Sequence, residues 1–273
     1  MTLTNKWQTT QPPVRLAVPT RGAFAEGTKR LLEQARLSPS IPHNLRKNWP
    51  SSSKTSNPLI EVCYYPSASE ALNGVIAGKA DAAITSLLLS KEINLIHMEK
   101  KMTGSSISVL MPSLGFGSAE LCLAVKQNSS FVIPSSVLNA NIKTPYPHLT
   151  REYLQRLSGS YSAHESRNSS SSIIRTKPHS SFNITYCKHC SSEQNLPDEN
   201  EASALIIPSV TMLIENNLRV LDTILESEAA LIAYSSRTSP RATEWTKLKG
   251  LQELQSALRS AIETLARTLN NKP

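Results

Sequence analysis

The chain has 273 residues and a net charge of +8, with 39% apolar, 5% aromatic and 18% charged residues. That composition suits one large or two smaller globular domains diluted by Ser, Asn and Pro, and it argues against a wholly disordered chain. It holds no apolar run near the ~20 residues of a membrane helix, no secretory leader among its opening residues, and too few cysteines for a disulfide framework, so a soluble, cytoplasmic protein is expected.

The excess charge is concentrated early. Residues 1 to 60 hold nine Lys or Arg against Glu26 and Glu33. No long basic run and no RNA-binding aromatic signature accompany them, so nucleic acid is not expected as a partner, and an anionic small molecule or a solvated basic face remains.

After a polar lead over residues 1–13, "VRLAVP" (14–19) reads as a strand and "FAEGTKRLLEQARL" (24–37) as a helix with Leu31, Leu32 and Ala35 on one face. Residues 38–58 read as a Ser/Pro/Asn-rich loop. "IEVCYYP" (60–66), "ASEALNGVIAGKA" (68–80) and "DAAIT" (81–85) follow as strand, helix and strand, with Ser67 or Ser69 as the helix cap. This βαβαβ order predicts a parallel sheet with helices on its faces.

"LGFGSAELCLAVK" (114–126) reads as a crossover into a second lobe, and "PHLTREYLQRL" (147–157) as a helix capped by Thr150. Residues 158–183 are Ser-dominated and read as an insertion. In "LIIPSVTMLIENNLRVLDTILES" (205–227), a buried strand passes through a short polar turn into a helix, with Ile214, Leu218, Leu221 and Leu225 at helical spacing. Such a turn is a ready anion site, because free N–H groups and the positive end of the helix dipole point the same way. "AALIAY" (229–234) returns as a strand. A final helix carries Leu251, Leu254, Leu258, Ile262, Leu265 and Leu269, a stripe that suits either the chain's own sheet or a partner subunit. "CKHC" (187–190) offers a single CxxC without the second pair a zinc site needs.

In this order the motifs resemble the ATP phosphoribosyltransferases in their short form. "VRLAVPTRG" is similar to the family's first strand and its Pro-Lys-Gly-Arg turn, and "AGKADAAITSLLL" to its Ala-Asp-Leu-Gly-Ile-Thr-Gly segment. "LGFGSAELCLAV" keeps its Leu-Gly-Phe-Gly start, and "IKTPYPHLTREYL" resembles its Tyr-Pro-Asn-Leu-Thr helix entry. "NNLRVLDTILESEAALIA" is similar to its last helix and returning strand.

The resemblance implies an α/β fold of two periplasmic-binding-protein-like (type II) lobes with mixed, mostly parallel sheets: residues 14–112 with 219–273, and 113–218. It implies condensation of ATP with phosphoribosyl pyrophosphate, the first step of histidine biosynthesis, with Mg2+ present, alone or with a regulatory subunit or as a homo-oligomer. Catalysis by positioning requires no nucleophilic side chain. The substrate-binding positions it implies are Arg21, Gly22, Asp81, Thr85, Thr144, Glu193, Glu201, Ser209 and Thr211, with Glu201 as a Mg2+ ligand.

Several positions depart from the family. Glu120 stands where an Arg is usual, Ser86 where a Gly is, and Leu88 where an acid is. The phosphate loop has Leu205 or Ala204 in place of its second acid, and Val210 or Ser209 in place of its glycine, depending on register. These departures define an alternative, a catalytically silent paralogue that acts as a binding or regulatory subunit.

Overall fold

A computed structural model describes residues 12–38, 51–101, 105–159, 182–188, 196–207, 210–236 and 243–270. Most of the polar lead and most of the Ser-rich insertion lie outside the described residues. The chain forms two compact units, Met1–Gly117 with Glu228–Pro273, and Ser118–Ser227. The return to the first unit thus falls at residue 228, not at the expected 219.

The first unit contains β1 (Val14–Pro19), α1 (Ala25–Gln34), β2 (Ser51–Lys54), β3 (Ile60–Tyr65), α2 (Ala68–Ile76), β4 (Ala82–Ser86), α3 (Leu87–Glu99) and β5 (Ser105–Met111). The second contains β6 (Ala119–Lys126), β7 (Asn141–Thr144), α4 (Pro147–Leu157), β8 (Asn183–Tyr186), β9 (Glu201–Ile207), α5 (Val210–Glu215) and β10 (Leu218–Ser227). The chain ends in the first unit with β11 (Ala229–Ser236) and α6 (Thr243–Asn270).

The first sheet runs β2-β3-β1-β4-β11-β5 and the second β10-β6-β9-β7-β8. Both are mixed. Among the described residues only β1 with β3 and β4, and β7 with β8 and β9, pair in parallel, so the parallel share there is smaller than expected. β1 lies at the centre because both its faces are apolar. Val14, Leu16 and Val18 enter one core with Leu31 and Leu32 of α1, and Ala17 enters another with Ala71, Leu72 and Val75 of α2.

The stripe of α6 docks on the chain's own sheet. Leu254 and Leu258 are fully buried in the core that holds Val14 and Leu16, and Gly250 allows the close approach, since a Cβ there would lie 2.4 Å from the Val14 side chain. At the sheet's edge, the Asn94 side chain of α3 accepts from the Ile107 N–H and donates to the Ile107 carbonyl, both at 2.9 Å.

Two local expectations are corrected. Residues 218–227 form an edge strand antiparallel to β6, not a helix, and α5 stops at Glu215, where Asn217 turns the chain at φ 52°. Helix α4 has Tyr146 as its N-cap, with Pro147 in its first turn; Thr150 sits inside it and donates back to the Tyr146 carbonyl at 2.8 Å. Ser67 does cap α2, accepting from the Glu70 N–H at 3.2 Å. The expected loop over 38–58 contains β2.

Replacing Leu258, fully buried, by Ala is expected to destabilise the chain by about 2–5 kcal/mol in denaturant unfolding. The loss should not vary with protein concentration, because the leucine is covered in cis.

Candidate functional site

In open α/β sheets ligands gather at the carboxyl ends of parallel strands, where helices begin. In the first unit that edge carries the turn after β1. Thr20 is fixed there by its own N–H and hydroxyl, which both donate to the Tyr65 carbonyl, at 2.8 and 3.0 Å. Gly22 adopts φ 82°, a left-handed conformation that costs glycine little, and its carbonyl accepts from the Ala25 N–H as α1 starts. Between them Arg21 is exposed and makes no ion pair with any described residue. Thr85 is at the same edge but fully buried, donating to the Ala68 carbonyl at 3.0 Å, which ties β4 to the start of α2.

Asp81 belongs to the opposite edge. It precedes β4 and accepts from the Arg15 backbone N–H at 2.9 Å, from the Arg15 guanidinium at 3.1 Å and from Lys247 of α6 at 2.6 Å. Burial alone would raise its pKa; the bonds from Arg15 and Lys247 outweigh it and hold the carboxyl below its ordinary value. Asp81 is therefore a staple between two strands and α6, and it does not accompany Arg21.

In the second unit the carboxyl edge carries Thr144 and Thr211. Thr144 is fully buried and accepts from the Tyr146 N–H at 3.0 Å and the Thr150 hydroxyl at 3.1 Å, so its oxygen serves the entry of α4. Thr211 is exposed in α5. Ser209 and Glu193 lie outside the described residues. Val210 is not among the residues with positive φ, so its branched side chain brings no backbone strain.

Glu201 is the second displaced acid. It opens β9 at the amino edge, bonded to Lys143 at 2.6 Å, Asn141 at 2.9 Å and the Asp198 N–H at 3.1 Å. Those bonds outweigh partial burial and lower its pKa. With seven residues in β9 and a strand rise of ~3.3 Å, Glu201 stands about 20 Å from the turn that follows Ile207. Glu201 is thus held by Lys143 at the edge away from Thr211, and among the described residues no group of three or more His, Cys, Asp or Glu is placed to hold a metal. Glu120, by contrast, pairs in register with Ile207 on one side and Glu226 on the other, directly beside that turn.

Both positions considered for the lost second acid are core. Ala204 is 0% and Leu205 1% exposed. Thr20 was missed as a fixing group; a hydroxyl just past a strand and before a helix was its signal.

A two-unit α/β chain with two mixed sheets of this kind has the type II periplasmic-binding-protein fold. It is similar to the periplasmic aliphatic sulphonate binding protein of Escherichia coli at 14% identity, TM-score 0.51, over 95% of this chain and 75% of that one. It is similar to a chain of the ATP phosphoribosyl transferase (HisG:HisZ) complex from Thermotoga maritima at 15% identity, TM-score 0.51, over 90% of this chain and 98% of that one.

In sequence the chain is a relative of curated proteins named ATP phosphoribosyltransferase. It is 29% identical to that of Methanothermobacter thermautotrophicus over 94% of this chain and 75% of the relative. It is 26% identical to that of Methanosarcina mazei over 81% of this chain and 64% of the relative. Against a third relative, from Halorubrum lacusprofundi, it spans less than half of that protein's length, 47%. No protein-family model matches the sequence. No helix among the described residues is long and apolar enough to cross a membrane.

Asp81→Asn is expected to cost about 1–2 kcal/mol at neutral pH, since two partly solvated cations lose their partner. Because the folded pKa of Asp81 is lowered, its contribution is present above the unfolded value of about 3.9 and disappears as pH falls through the folded value. Urea unfolding should therefore show the gap between wild type and variant closing below about pH 4.

Proposed function

We propose that this chain binds phosphoribosyl pyrophosphate and ATP and joins them to phosphoribosyl-ATP and pyrophosphate, the first step of histidine biosynthesis. The observation that carries the reading is collinear similarity to proteins named ATP phosphoribosyltransferase, at 24–29% identity over as much as 94% of the chain. The first-unit turn supports it: Arg21 is an exposed cation on a glycine turn that is locked to Tyr65, as an anionic substrate requires. A recess of about 250 Å³ beside that turn, walled by Val18, Thr20, Leu32 and Tyr64, has the size and apolar sides for a nucleobase.

The chemistry needs position and charge neutralisation and no side-chain nucleophile. Arg21 meets a phosphate or diphosphate, and Thr211 offers a hydroxyl in the second unit. Mg2+ comes to the reaction on the diphosphate of the substrate, since Glu201 is held by Lys143 at the other edge. Glu120 repels anions at the second-unit turn, and the reading includes a partner subunit, since the similar chain from Thermotoga maritima belongs to a complex.

The test is calorimetry with Mg2+ and phosphoribosyl pyrophosphate, then ATP, followed by an assay for phosphoribosyl-ATP. Micromolar binding of the first ligand is expected, weakened on the order of tenfold by Arg21→Ala. Glu120→Arg should tighten it about fivefold or more, most at low salt, where charges beside a turn are least screened. Absence of heat from both ligands in folded protein would overturn the reading in favour of a silent paralogue. Leu205→Asp is a poor restoration, because it buries a carboxylate in a sealed core.

A further inference from the structure

Residues 114–117, Leu-Gly-Phe-Gly, carry the chain out of the first unit, and Gly115 and Gly117 have φ of 77° and 70°. Two glycines at a crossing between units look like a hinge. Their surroundings say otherwise. The Phe116 ring lies against Gly27 of α1 so closely that a Cβ on Gly27 would stand 2.2 Å from it. The Phe24 ring, at the N-cap of α1, lies against Gly117 in the same way, with 2.4 Å to a Cβ built there. The two rings meet edge to face, 6.5 Å between centroids at 64°.

Each aromatic ring therefore fills the space of a missing side chain on the other segment. Backbone bonds close the arrangement: the Leu114 N–H donates to the Ala229 carbonyl at 2.9 Å, and the Ala229 N–H donates to the Phe116 carbonyl at 3.0 Å. Residue 229 is where the chain has just come back, so the outgoing and returning segments are bonded to each other and the outgoing one is clamped to α1.

We infer that this reciprocal ring-on-glycine lock makes the start of α1 and both crossing segments one rigid body, so that the chain does not flex at Gly115 and Gly117. The glycines serve close packing, and their positive φ shapes the path without loosening it. The inference concerns the chain path and is independent of which ligand the protein takes.

Amide hydrogen exchange of Leu114 and Ala229 in the full chain tests it. In the wild type both amides should exchange slowly, at the rate of central strands such as β1. Gly27→Ala, which expels the Phe116 ring, and Phe116→Ala, which removes it, should each accelerate both amides together by about tenfold or more. The double variant should be no faster than Phe116→Ala alone, because the two changes break one contact. Should Gly27→Ala fail to fold, Phe116→Leu and Phe24→Leu provide the same reading with milder loss. Fast exchange of Leu114 and Ala229 in the wild type, or additive effects in the double variant, would overturn the inference.

Discussion

The first unit depends on the burial of β1 from both sides. Its odd-even pattern sends Val14, Leu16 and Val18 towards α1 and α6, and Ala17 towards α2. A strand so placed cannot expose a polar side chain along its length without cost, so polar groups are pushed to its ends. At the amino end Arg15 turns outward and is neutralised by Asp81. At the carboxyl end the chain leaves through Thr20 and Arg21. One electrostatic end is closed by an internal partner, and the other stays open to solvent.

The second unit shows the same division with the opposite sign at its open end. Glu201 and Lys143 close the amino edge, while Glu120 and Glu226 lie in adjacent strands next to the turn after β9. Like charges in neighbouring strands repel, and they repel phosphate as well. The charges at the two open ends thus differ in sign: the first-unit turn carries a cation, and the second-unit turn lies beside two carboxylates.

Much of the first unit was legible because its elements follow simple periods. β1, β3 and β4 are short apolar runs, and Leu31 and Leu32 mark the inner face of α1. Residues 218–227 misled because β10 carries irregularities between Val220 and Asp222 and between Thr223 and Leu225. Each shift adds a residue to a period of two, and the resulting spacing of Leu218, Leu221 and Leu225 imitates a helix. α3 and β5 passed unread: α3 mixes buried Leu88, Ser90 and Glu92, which gives no clean apolar stripe. For the site, residue type was a weaker guide than position. Asp81 and Glu201 looked like ligands by type, yet both stand before or at the first residue of a strand, the end where helices do not begin.

The amide of Asn94 has a bearing on assembly. By presenting one donor and one acceptor to Ile107, it takes the place that the backbone of a neighbouring strand would occupy. A sheet whose border is capped by a side chain offers no template at that point for a foreign strand, so edge-to-edge growth into fibres is blocked there by a single residue. Any association of this chain through β5 would have to begin further along, at the partly exposed Val109, or displace the asparagine first.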